Sequence, residues 1–154
     1  MDLRTAFGKR FHELVLESGR THRDLAAELQ ANLHDVIRWD TGKNDYLPSV
    51  RLLCRMAGLF RCSVDYLLGR SDDEAVVELP PTEPQLAGRF RAFVYARGFT
   101  FARLAREADI HSTTLFYNWE KGKSLPQAEL LCRVADALEC SADELLAPAR
   151  PGIF

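Results

Sequence analysis

Side chains able to do chemistry gather twice in this chain, and both times in the same order. Thr21-His22-Arg23-Asp24-Leu25-Ala26 leads to Trp39-Asp40-Thr41-Gly42-Lys43. Thr100-Phe101-Ala102-Arg103-Leu104-Ala105 leads to Trp119-Glu120-Lys121-Gly122-Lys123. These residues offer hydrogen bonds and positive charge rather than bond-breaking chemistry. The sequence has no Gly-rich phosphate loop, no metal-spaced cluster and no nucleophile beside an obvious base. Its scattered Ser, His and Asp residues fall at helix-capping positions, so an enzyme is not expected. Cys54, Cys62, Cys132 and Cys140 form Cys-x7-Cys twice, with no histidine at zinc-finger spacing. They read as small core-filling thiols in a reducing compartment, and no metal or cofactor is expected.

The positioning elements are helices throughout. Phe7, Phe11 and Leu14 recur at i, i+4, i+7, which predicts an amphipathic helix over 4–18 stopped by Ser18-Gly19. Thr21 with Asp24 three residues on makes a capping-box pair for a second helix, whose buried stripe is Leu25, Ala26 and Leu29. Asn32 with Asp35 repeats that pairing for a third, in which Val36 points inward, Trp39 covers the core edge and Gly42 marks the end. A fourth helix starts near Ser49 and carries Val50, Leu53, Met56 and Ala57. A fifth starts at Ser63, with Val64, Leu67 and Leu68, and stops at Gly69. Helix, tight turn, helix and glycine stop is the outline of a helix-turn-helix, whose second helix suits the DNA major groove.

The second half repeats the first. Arg89-Phe90 answers Arg10-Phe11, Gly98 answers Gly19, and Leu130-Leu131-Cys132-Arg133 answers Leu52-Leu53-Cys54-Arg55. Between the copies, residues 71–84 are acidic and carry three prolines, which reads as an extended linker. A short strand at Val76-Val77 is the alternative there. The fold expected is all-α: a five-helix domain over 1–70, a linker over 71–84, and a second five-helix domain with a short tail over 85–154. The net charge is −2, and neither half carries a basic excess, so total charge does not argue for a nucleic-acid partner. No apolar run approaches the ~18 residues of a membrane span. Met1-Asp2-Leu3-Arg4 shows no basic region leading into an apolar core. A cytoplasmic protein with no membrane contact is therefore expected, and no small-molecule ligand is evident.

The run Leu-Ala…Trp-Glu/Asp-x-Gly-Lys…Leu-Pro…Leu-Leu resembles the lambda-repressor/Cro-type (XRE) helix-turn-helix family over about 4–69 and 86–147. The resemblance implies a sequence-specific regulator of transcription, a repressor above all, that binds double-stranded DNA as a homodimer. Carried over by position, the first recognition helix spans Asn32 to Trp39, with Asn32, Leu33, His34, Ile37 and Arg38 toward base edges. Asn and His can bond bases, Leu can touch a thymine methyl, and Arg can reach a guanine. The matching helix of the second copy runs from His111 to Trp119, with Ser112, Thr113, Phe116, Tyr117 and Asn118 as base readers. Phosphate contacts fall to Thr21, His22, Arg23, Thr41, Lys43 and Asn44, and to Thr100, Arg103, Lys121 and Lys123. These set register while the bases set sequence.

The chain departs from the family where Gln usually follows the cap Thr: here His22 and Phe101 stand, and an aromatic ring cannot hold phosphate. The second copy has one more residue between its Leu-Ala pair and Trp119. Inside a helix, one added residue rotates every later side chain by ~100°. The first copy has two extra residues between Gly42 and Pro48. These departures keep an alternative open, a protein-interaction module (antitoxin-like, adaptor or anti-repressor) that uses the fold without DNA, with Phe101 or Phe116 lining a dimer interface. His12 reads as a solvated surface residue.

Overall fold

The computed structural model describes residues 2–73 and 83–146, and the chain divides into two units, Met1–Glu83 and Pro84–Phe154. Every regular element among the described residues is helical. The Val76-Val77 strand alternative and the C-terminal tail lie outside the described residues.

In the first unit α1 spans Leu3–Ser18, α2 His22–Leu29, α3 Leu33–Asp40, α4 Val50–Phe60 and α5 Val64–Leu67. Asp2 caps α1 by accepting from the Thr5 amide at 2.8 Å, and that bond holds its carboxyl below the usual carboxylate range. Phe7, Phe11, Leu14 and Val15 form the buried stripe, and Gly19 ends the helix at φ 67°, in the left-handed region. The predicted box on α2 is complete: the Asp24 amide donates to Thr21 Oγ1 at 3.1 Å, and the Thr21 amide to Asp24 Oδ2 at 3.3 Å. Ser49 and Ser63 cap α4 and α5. α1 packs on α3 and α5, and α2 on α3 and α4. Phe7, Phe11, Leu25, Leu53, Met56 and Leu67 lie fully buried between them.

The second unit repeats the plan with α6 Phe90–Ala96, α7 Phe101–Glu107, α8 Thr114–Glu120, α9 Ala128–Ala137 and α10 Ala142–Leu146. Cys54, Cys62 and Cys132 are buried thiols and Cys140 is half-buried, as expected of core fillers. Gly69, which closes α5, has two reasons to be glycine. Its φ is +72°, and a Cβ there would stand 2.7 Å from Ala6 Cβ on α1. Gly69→Ala is expected to destabilise the first unit by about 1–3 kcal/mol, from left-handed strain and overpacking together. In urea melts the midpoint should fall at unchanged slope. An unshifted midpoint would mean that α1 yields without cost.

Candidate nucleic-acid interface

α3 turns two faces to different partners. Val36 and Trp39 are buried, Leu33 and Ile37 are half-buried, and Asn32 and His34 are exposed or half-exposed at its start. Asn32 Oδ1 accepts from the amides of His34 at 2.8 Å and Asp35 at 3.4 Å, so the oxygen predicted to meet a base is already used as the helix cap. The expected reciprocal bond from Asp35 is replaced. The Asp35 carboxylate accepts from Tyr46 Oη at 2.8 Å, and this bond pushes the Tyr46 hydroxyl pKa up. Tyr46 sits in the loop carrying the two extra residues, so the added length lets that loop fold back on α3.

Arg38 and Asn44 brace the same loop. Arg38 donates from Nη2 to Lys43 O at 2.7 Å and from Nε to Asn44 Oδ1 at 3.2 Å. Asn44 Nδ2 in turn donates to Asp35 O at 3.2 Å. Both ends of the Asn44 amide are thus engaged within the unit. Lys43 stays exposed at the loop's edge, as do Thr21 and Arg23 at the start of α2. Thr41 is exposed too, with its hydroxyl donating to Ile37 O at 2.9 Å.

His22 is tied down by a bond that spacing did not announce. Its Nε2 donates to Asp40 Oδ2 at 2.6 Å, and His12 Nδ1 donates to Asp40 Oδ1 at 2.8 Å. One carboxylate, its side chain 11% exposed, thereby fastens α1 and α2 to the end of α3. His12 is exposed, as expected of a solvated surface residue, and its imidazole also reaches Asp40. Nothing in the spacing of His12, His22 and Asp40 signals this cluster; only the packing of three helices brings them together.

The second unit corrects three expectations. Phe116 is not a base reader: it is 0% exposed, with its ring 5.8 Å from Phe90, 5.5 Å from Phe101 and 5.3 Å from Trp119. Phe101, 2% exposed, belongs to the same core, so neither ring is available to a dimer interface. The helix also begins later than predicted, at Thr114 rather than His111. His111, Ser112 and Thr113 are spent in the turn, where Ser112 Oγ accepts from the Thr114 amide at 3.1 Å. The extra residue of this copy is absorbed there, because the left-handed residue ending the preceding helix falls nine after the cap Thr in both units, at Gln30 and Asp109. Inside the helix no rotation results. Phe116 stands three before Trp119 as Val36 stands three before Trp39, and counting back from the tryptophan would have placed it inward.

What α8 does expose is Thr114 and Tyr117, with Asn118 half-buried and Lys121 and Lys123 exposed beyond the helix end. Thr100 is exposed and caps α7 by accepting from the Arg103 amide at 3.1 Å. Arg103 itself pairs with Glu107 at 3.2 Å and lies 4.4 Å from the Phe99 ring. Arg91 on α6, which sequence reasoning passed over, reaches the same face. The described residues offer no group of acids, cysteines and histidines able to hold a metal ion, and no helix among them is long and apolar enough to cross a membrane.

Two helices at a tight turn, the second half-submerged in a five-helix unit, occur in both units, and this is a helix-turn-helix arrangement. Residues 85–147 match the family model described as a helix-turn-helix domain, and this segment is an XRE-type domain of a family known for DNA binding. Residues 3–67 form a structurally similar five-helix unit. No curated protein and no solved structure matches the chain.

Proposed function

We propose that the chain is a cytoplasmic, sequence-specific DNA-binding regulator of transcription, a repressor, that docks helix α3 and its counterpart α8 in the major groove. The observation that carries this reading is the division of α3. Val36 and Trp39 anchor it, while Leu33, His34 and Ile37 stand on the other side; Thr21 and Arg23 flank His22, which is tied to Asp40 at the C-terminal end of α3, and Lys43 follows that same end. That arrangement supports base readout by the start and middle of α3 with phosphate contacts near its C-terminal end. A homodimer would present such faces to paired half-sites. Binding and positioning, not bond chemistry, account for the polar residues on these faces.

Fluorescence anisotropy on duplex DNA from upstream of the coding sequence tests the proposal at several salt concentrations. Affinity should fall linearly on a log–log plot as salt rises. Lys43→Ala should weaken binding and lower the slope by about 1, uniformly across sequences. Absence of binding even at low salt would sink the DNA reading. One observation favours a protein partner instead: Tyr95 and Tyr117 stay 44% and 38% exposed on the second unit. Retention of a protein partner by Lys43→Ala, with no DNA bound by the parent chain, would establish that reading.

A further inference from the structure

The second unit lacks a polar residue where the first has His22, because Phe101 follows the cap Thr100 and is swallowed by the core. A cation nevertheless stands over that place. The Arg91 guanidinium carbon lies 5.9 Å from the Phe101 ring centre, 5.8 Å from Tyr117 and 5.2 Å from Tyr95. Its Nη2 donates to Tyr95 Oη at 3.4 Å. The guanidinium therefore sits above the joint of α6, α7 and the recognition helix α8, held by three aromatic rings from three helices.

Two further facts make it available. Arg91 is exposed, and no carboxylate among the described residues forms an ion pair with its side chain. Glu120, whose charge favours the charged guanidinium, spends Oε1 on the Arg91 backbone amide at 2.6 Å. In the first unit the register that Arg91 occupies holds His12, and Glu120 answers Asp40. There the imidazoles of His12 and His22 both close on the carboxylate. One fold thus builds this corner in two ways: a closed polar knot in one unit, an aromatic platform carrying an outward guanidinium in the other.

We infer that Arg91, levelled by Tyr95, Phe101 and Tyr117, is a backbone phosphate contact of the second unit. The inference rests on the DNA reading above and gives the second unit its own grip on the duplex. A guanidinium is always charged and presents a planar fork of donors matched to phosphate oxygens. Rings beneath it restrict its motion without consuming its outward N–H groups. Lysine would bring the charge without the fork or the stacking.

The test uses the full chain and a duplex of mixed sequence about 40 base pairs long, with anisotropy read across a salt series. Arg91→Ala should weaken binding about three- to ten-fold at low salt and lower the salt slope by about 1. Arg91→Lys should recover the slope but only part of the affinity. Tyr95→Phe, which removes the hydroxyl and keeps the ring, should lose less than about two-fold. Far-UV circular dichroism and the urea midpoint of each variant should match the parent, since Arg91 and Tyr95 are exposed. Parent-like affinity and slope in Arg91→Ala would overturn the assignment while leaving the DNA reading intact. A parent chain that binds no duplex would remove both.

Discussion

Phe116→Ala is expected to destabilise the second unit by about 3–5 kcal/mol, the range for emptying a buried phenylalanine site. The ring is fully enclosed and touches Phe90, Phe101 and Trp119, which come from α6, α7 and α8. Those walls are themselves large rings, which cannot collapse into the space without leaving their own packing. Small domains hold about 5–15 kcal/mol in total, so this loss would leave the unit close to unfolding at about 37 °C. Each unit contains one tryptophan, Trp39 or Trp119, so urea melts followed by Trp119 emission in a Trp39→Phe background isolate the second unit. Phe116→Leu, which refills part of the volume, should recover more than half of the loss. A Phe116→Ala chain that melts like its parent yet loses DNA affinity would return the ring to the groove face.

The same ring separates the legible part of the sequence from the rest. Thr21 with Asp24, Ser49, Ser63 and the stripe Phe7, Phe11, Leu14 act within a few residues of chain. Their caps and faces are written locally, and all stand where spacing put them. The two-unit plan was legible because the pattern occurs twice. Phe116 was misplaced for lack of a common origin: counting from Leu104-Ala105 crosses the inserted residue, while counting from Trp119 does not. Asp35 reads from sequence as the capping partner of Asn32, but its carboxylate accepts from Tyr46, eleven residues away in a loop whose path no local rule fixes. The His12–Asp40–His22 knot and the Arg91 platform are farther still from local rules. Each needs three helices to be in place before its members meet. Side-chain clusters of this kind are assembled across elements, so they are the last features a single chain discloses.

Trp39→Ala should cost the first unit about 3–5 kcal/mol, and its consequences should reach beyond the core. Trp39 is 4% exposed, edge-on to Phe7 at 6.4 Å on one side and to Tyr46 at 6.4 Å on the other. Its Nε1 donates to Tyr46 O at 3.2 Å, so the indole supports the α1–α3 packing and also fixes the loop that presents Lys43. The milder Trp39→Phe separates these jobs. It keeps a ring against Phe7 and removes the donor, leaving Tyr46 O to water at a cost of about 1 kcal/mol. If loop position matters to phosphate contact, Trp39→Phe should weaken DNA binding several-fold at a temperature where the unit is fully folded, with a shallower salt slope as Lys43 loses its place. Backbone amide exchange should quicken in residues 43–47 and not in α4. Unchanged exchange with weakened binding would instead point to the indole itself as a DNA contact, which its burial beneath Tyr46 argues against. The tryptophan is in this sense the hinge between stability and readout: one face completes the hydrophobic core, and its one polar atom sets where the nearest exposed cation stands.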